Sequence, residues 1–171
     1  MPEFFIEIGS EEIPSGYVQP ALEYMREELA SFFTSNRIQS EKPQILGTPR
    51  RLVVSVKGVD ALQEDSVDLF HGPNVSVAFD DKGEPTKAAI GFARGKGLDV
   101  SALTRESTPK GAVVCARVEK KGRPTLDHLN EFLPKFVDNI PFPKKMRWGS
   151  KARPFARPLH WITAVFDGKP L

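Results

Sequence analysis

Two rhythms of hydrophobic and polar positions divide this chain into strands and helices. From Glu3 to Ile8, Phe5 alternates against Phe4, Ile6 and Ile8, the period-two pattern of a strand, before Gly9 and Pro14 break it. Leu22, Met25, Leu29 and Phe32 then recur at three- and four-residue steps, predicting an amphipathic helix from Pro20 to Ser35. Pro20 suits its first position, where a missing N–H costs nothing, and Glu23, Glu27 and Glu28 suit its start and outer face. A short strand is expected at Gln44–Leu46, ending at Gly47-Thr48-Pro49. From Arg51 to Val59, Leu52, Val54 and Val56 face one way and Arg51, Ser55 and Lys57 the other, as in a half-buried antiparallel strand. Val67–Phe70 and Val75–Phe79 read as further strands and Asp80–Gly83 as a turn. Thr86 is placed to cap a helix through Ala88, Ala89, Ile90, Phe92 and Ala93 that stops at Gly95 or Gly97.

The second half repeats the alternation. Ala112–Glu119 predicts a strand and Lys120–Pro124 a turn. Leu126, Leu129, Leu133, Phe136, Val137 and Ile140 predict a helix that Pro134 kinks or divides. Trp161–Phe166 predicts a strand, with Trp161 as a core anchor, and Asp167-Gly168 a hairpin turn. The chain stops at Leu171, where a return strand should begin, so a fragment of something longer is expected. Short strands with polar turns and about three interleaved helices predict an α+β fold, a mainly antiparallel sheet with the helices packed on it. The 171 residues suffice for one domain with a real core or for two small ones, with a subdivision near Pro109 or Pro141.

Composition changes this picture in one respect. The chain has 24 Lys+Arg against 22 Asp+Glu, and six of the basic residues, Lys144, Lys145, Arg147, Lys151, Arg153 and Arg157, fall in one short stretch without an acidic residue. The remaining 18 face 22 acidic residues, so the positive character is concentrated there. Cations interleaved with aromatic rings suit RNA: the charges pair with phosphates, and Trp148, Phe155 and Trp161 are placed to stack or wedge. The competing reading is a solvated basic loop whose aromatics anchor it to the core. Arg50 and Arg51, in Thr48-Pro49-Arg50-Arg51-Leu52, form a second basic corner, either a phosphate clamp or an edge-strand charge pair that discourages aggregation.

No other constellation assembles an active site. Glu7, Glu11 and Glu12 can hold Mg²⁺ or share a proton, but the simpler expectation is that they sit near the following helix N-terminus and are stabilised by its dipole. Gly91–Gly97 places its glycines at the end of a helix, where they cap it rather than cradle phosphate. His71, His128 and His160 lack metal-ligand spacing; His128 is expected to face solvent, and His160 to touch RNA or support Trp161. The lone Cys115 reads as a small strand hydrophobe, and a chain without an internal disulfide fits a reducing cytoplasm. No apolar run approaches the ~20 residues of a membrane-spanning helix, and the N-terminus does not read as a signal peptide.

Five segments appear in a recognisable order: Glu7-Ile-Gly-Ser-Glu-Glu-Ile-Pro14, Thr48-Pro-Arg-Arg-Leu52, Thr86-Lys-Ala-Ala-Ile-Gly-Phe-Ala93, Thr108-Pro-Lys-Gly111, and Pro143-Lys-Lys-Met-Arg-Trp-Gly149 followed by Arg157-Pro-Leu-His-Trp161. Together they resemble the N-terminal part of the β subunit of bacterial two-subunit glycyl-tRNA synthetases, with Ser10 where that family usually has Thr and Ile13 where it has Leu. The resemblance implies an α2β2 ligase that joins glycine to tRNA using ATP and Mg²⁺, with the aminoacylation site on the α subunit. It implies no catalytic residue, metal or cofactor on this part of β, and a role in tRNA handling and subunit assembly. A protein-interaction scaffold without RNA contact is the alternative.

Overall fold

A computed structural model describes residues 2–109, 111–150 and 153–171. In chain order the elements are β1 (Phe4–Ser10), α1 (Ser15–Ser35), β2 (Gln44–Thr48), β3 (Arg51–Val56), β4 (Ser66–Asn74), α2 (Val75–Ala78), α3 (Lys87–Gly95), a 3-10 turn (Val100–Ala102), β5 (Thr104–Thr108), β6 (Gly111–Lys120), α4 (Thr125–Asn139), β7 (Met146–Arg147), β8 (Pro154–Phe155), β9 (Leu159–Phe166) and β10 (Lys169–Pro170). Among the described residues every strand pairing is antiparallel, which establishes the α+β class. The chain divides into two units, Met1–Glu64 with Arg123–Leu171, and Asp65–Gly122. The chain therefore crosses between units at 64/65 and 122/123, and residues 109 and 141 each lie within a unit. Among the described residues no helix is long and apolar enough to cross a membrane.

The first unit is built on a five-stranded sheet in the order β10-β9-β1-β3-β2. Register follows from the alternation: Phe4, Ile6 and Ile8 of β1 pair with Val56, Val54 and Leu52 of β3, and all six are fully buried on one face. Helices α1 and α4 supply the other half of that core, through Leu22, Met25, Leu29 and Phe33 of one and Leu129, Leu133, Phe136 and Val137 of the other. Phe32 of α1 stacks on Phe132 of α4 at a centroid distance of 4.2 Å. Pro134 lies inside α4 without dividing it. Helix α1 begins at Ser15, earlier than its apolar stripe predicts, so Pro20 lies inside the helix and removes one backbone bond there. The expected turn at Asp167-Gly168 is present, both residues having positive φ, and β10 is the return strand.

The second unit is a three-stranded sheet, β4-β6-β5, with α2 and α3. Its core cluster consists of Ala78, Ala89 and Val114, flanked by half-buried Val75, Phe79, Phe92, Val100 and Leu103. Residues 75–78 form a helical turn where the apolar run predicts a strand. So short a run has no period long enough to distinguish the two, and packing Ala78 into the core decides it. Thr86 precedes α3 but does not cap it with its side chain; its hydroxyl donates to the Val77 carbonyl at 2.7 Å instead.

Candidate functional site

Three of the motif segments, far apart in sequence, converge at one end of the first unit's sheet. Backbone bonds fasten them: Ser10 N–H to the Arg50 carbonyl at 3.0 Å, Glu11 N–H to the Pro158 carbonyl at 3.0 Å, and Ile13 N–H to the Pro49 carbonyl at 2.7 Å. Pairing sets Trp161 of β9 opposite Gly9 of β1, and Gly9 opposite Arg51 of β3. The indole lies against the glycine: a Cβ at residue 9 would come within 2.2 Å of Trp161 Cε2, so only glycine admits the ring. The indole N–H donates to Glu7 Oε1 at 3.0 Å, and the Arg51 guanidinium lies 5.6 Å from the ring centroid. The register shifts between Gly9 and Ser10, a bulge next to His160, whose Nε2 lies 2.9 Å from Glu11 Oε1.

The early carboxylates, just ahead of α1, also have cationic neighbours around the start of β3. The first turn of α1 carries no acidic residue. Glu7 faces Arg51 (3.8 Å), while Arg50 faces Glu12 (3.4 Å) and Glu11 (3.8 Å). Arg157 Nε donates to the Glu12 carbonyl at 3.0 Å. This end of the sheet is thus close to charge-balanced, three carboxylates against three guanidiniums. Trp161 is 40% exposed and belongs to the open sheet face rather than to the core, contrary to the anchor expected of it. Phe155, in contrast, is buried against Phe142 at 4.8 Å and is not available for stacking.

The late basic segment takes three different courses. Lys145 donates to the Asp138 carbonyl at 2.7 Å, and burial pulls its ammonium below the usual lysine range, with Asp138 offsetting part of that. Arg153 pairs with the Asp138 carboxylate at 3.4 Å. Trp148 is half-buried, its N–H donating to the Phe155 carbonyl at 3.1 Å. Lys144 turns toward the motif-rich end, lining with Arg157, Pro14, Tyr17, Met146 and Ala156 a hollow of about 250 Å³. Arg147 is exposed on the β7–β8 ribbon. Lys151, and Lys110 of the fourth motif, lie outside the described residues. His128 is half-buried rather than solvent-facing, and its Nε2 is a buried atom without a hydrogen-bond partner.

One cluster has no counterpart among the sequence expectations. In the second unit, His71, Glu106 and Cys115 present Nε2, a carboxylate oxygen and Sγ within 4.8 Å of one another. No local spacing announces it, because register between strands brings the three together. Burial, then the nearby Glu106 carboxylate, pushes the Cys115 thiol above its ordinary value.

Comparison with known proteins accounts for the converging motifs. A family profile described as "Glycyl-tRNA synthetase beta subunit" matches residues 4–171. The chain is 49% identical over 168 residues to the glycine–tRNA ligase beta subunit of Geobacter metallireducens, covering 98% of this chain and 24% of that protein. The corresponding subunit of Geobacter sulfurreducens is 45% identical over 166 residues, covering 97% and 24%, and that of Desulfatibacillum aliphaticivorans 44% over 165, covering 96% and 24%. The chain spans about a quarter of the length of the curated relatives it matches. With nearly every residue matched, this chain belongs to the glycyl-tRNA synthetase beta subunit family, as a counterpart of its N-terminal part.

Proposed function

We propose that this chain serves as the N-terminal part of the β subunit of an α2β2 glycine–tRNA ligase of the cytoplasm. There it contributes to tRNA handling and subunit assembly, while ATP- and Mg²⁺-dependent charging proceeds on the α subunit. The tRNA part of this reading rests on the hollow lined by Lys144 and Arg157, two cations from the opposite ends of the late basic segment, with space there for a phosphate. Arg147, exposed on the neighbouring β7–β8 ribbon, is a further candidate for a phosphate contact. Arg50 and Arg51 already have carboxylate neighbours, so they contribute to a phosphate only by giving those up.

Assembly is supported by the open sheet face. Leu46 is 71% exposed there, in register with Val53, and Trp161 stands on the same face between paired charges. A face that exposes a Leu at one edge and a Trp beside an Arg further across, with an ion pair between them, has residue types common at protein–protein contacts.

Steady-state kinetics and tRNA binding of the complete α2β2 enzyme carrying Lys144→Ala and Arg147→Ala test the first part. The KM for tRNA should rise, and the slope of log K against log salt should become shallower by about one for each phosphate these side chains had neutralised. An unchanged KM and salt slope would rule out tRNA contact by these residues and favour the scaffold without RNA contact. That scaffold alone predicts a defect confined to co-purification with α when Trp161→Ala and Leu46→Ser are combined.

A further inference from the structure

His71, Cys115 and Glu106 come from three adjacent strands of the second unit, β4, β6 and β5, with β6 in the centre. Register places His71 and Thr104 directly across from Cys115, and Glu106 lies two residues beyond Thr104, so the three side chains share one face of the sheet. Glu106 Oε2 stands 3.3 Å from Cys115 Sγ and 3.4 Å from His71 Nε2. The backbone beneath His71 is fixed from the other side: a Cβ on the next residue, Gly72, would come within 2.7 Å of the Phe92 ring. Cys115 is 1% exposed, whereas His71 and Glu106 open to solvent.

We infer that His71, Glu106 and Cys115 form a three-ligand site for a borderline-soft divalent cation, zinc being the natural occupant. One thiolate, one imidazole and one carboxylate make a donor set that zinc accepts and that magnesium and calcium do not favour. Bond lengths of about 2.3 Å to sulfur and 2.0–2.2 Å to nitrogen and oxygen, at tetrahedral angles, put the ligand atoms roughly 3.3–3.7 Å apart, the pairs with sulfur at the long end. The Glu106–His71 separation already matches, the Glu106–Cys115 one is within a few tenths of an ångström, and the third, within 4.8 Å, needs only an adjustment of the exposed His71 side chain. The fourth position faces solvent and would hold water. The site stands independently of the tRNA and assembly readings, because none of its residues belongs to the motif-rich end of the first unit.

The test uses the complete chain, reduced and freed of metal by a chelator, titrated with Zn²⁺ by calorimetry and with Co²⁺ by absorption. One ion per chain is expected, with a thiolate-to-cobalt charge-transfer band that vanishes in Cys115→Ala. His71→Ala and Glu106→Gln, both at exposed positions, should weaken Zn²⁺ binding by about tenfold or more with an unchanged far-UV circular dichroism spectrum. These two variants decide the matter if Cys115→Ala does not fold. No uptake, uptake without the thiolate band, or wild-type affinity in His71→Ala and Glu106→Gln overturns the assignment.

Discussion

The two units bury their apolar residues on very different scales. The first encloses Phe4, Ile6, Ile8, Met25, Leu29, Leu52, Leu129 and Phe136 between a five-stranded sheet and two long helices. The second, about sixty residues long, buries mostly small side chains among its described residues: Ala78, Ala89 and Val114 form its cluster, and Ala93, Cys115 and Ala116 are buried beside them in the sequence of α3 and β6. It relies instead on strand pairing and on interactions at its surface. Lys96 sits 3.7 Å from the Phe70 ring centroid and Arg105 4.5 Å from that of Phe79. Asp65 accepts from Lys121 Nζ and from Gly122 N–H, both at 2.8 Å, joining the unit's two ends. Apolar burial scales with side-chain size, whereas exposed pairs contribute little each, so the second unit should open at lower free energy than the first.

Truncating the cores tests this most directly. Leu29→Ala should cost roughly 2–5 kcal/mol in urea unfolding, since a fully buried Leu leaves a cavity. Val114→Ala should cost about 1.5 kcal/mol, the transfer value of two methylene equivalents. Native-state hydrogen exchange should show the β6 amides exchanging faster than those of β1. Equal costs and equal protection would break the comparison.

Glycine replacement sharpens it, because the expected signs are opposite. Gly9→Ala drives a Cβ into the Trp161 ring and should destabilise by about 1–3 kcal/mol, with a shift in tryptophan emission as the indole is displaced. Gly91→Ala, in α3 with open space around its Cβ position, should stabilise by about 0.5–1 kcal/mol through helix propensity. An emission spectrum unchanged by Gly9→Ala would mean that the indole does not rest on β1.

The smallest effect concerns the clasp. The Lys121 ammonium, and then the Gly122 N–H, hold the Asp65 carboxyl below the usual carboxylate range. A depressed folded-state value stabilises above the unfolded pKa and is lost as pH falls through the folded one. Amide protection at the ends of β4 and β6 should therefore weaken at acid pH in the wild type. In Asp65→Asn it should be slightly weaker at neutral pH and lack that step. Identical pH profiles for the two proteins would mean that the clasp does not hold the ends of the second unit.

Much of the first unit is legible along the chain because its elements are long enough to show a period. Leu52, Val54 and Val56 announce a one-sided strand, and Leu129, Leu133 and Phe136 a helix face. The second unit is less legible because its apolar runs are short and its core residues small. Val75–Ala78 has no period to read, and the threonine expected to cap α3 bonds elsewhere. At the candidate site, the sequence identifies the right segments but not their relations. Glu7, Glu11 and Glu12 look like helix-start residues until Arg50, Arg51, His160 and Trp161 are seen beside them.

Local alternation and helical spacing, set by the two backbone periods and by apolar transfer from water, determined which residues became strands and helices and which faces they buried. Tertiary structure decided the rest. Tertiary packing brought Trp161 onto Gly9, joined the early carboxylates to Arg50 and Arg51 of one segment and to His160 and Trp161 of another, and gathered His71, Glu106 and Cys115 from three strands. Such pairings depend on which strands become neighbours, and no spacing along a single segment encodes that.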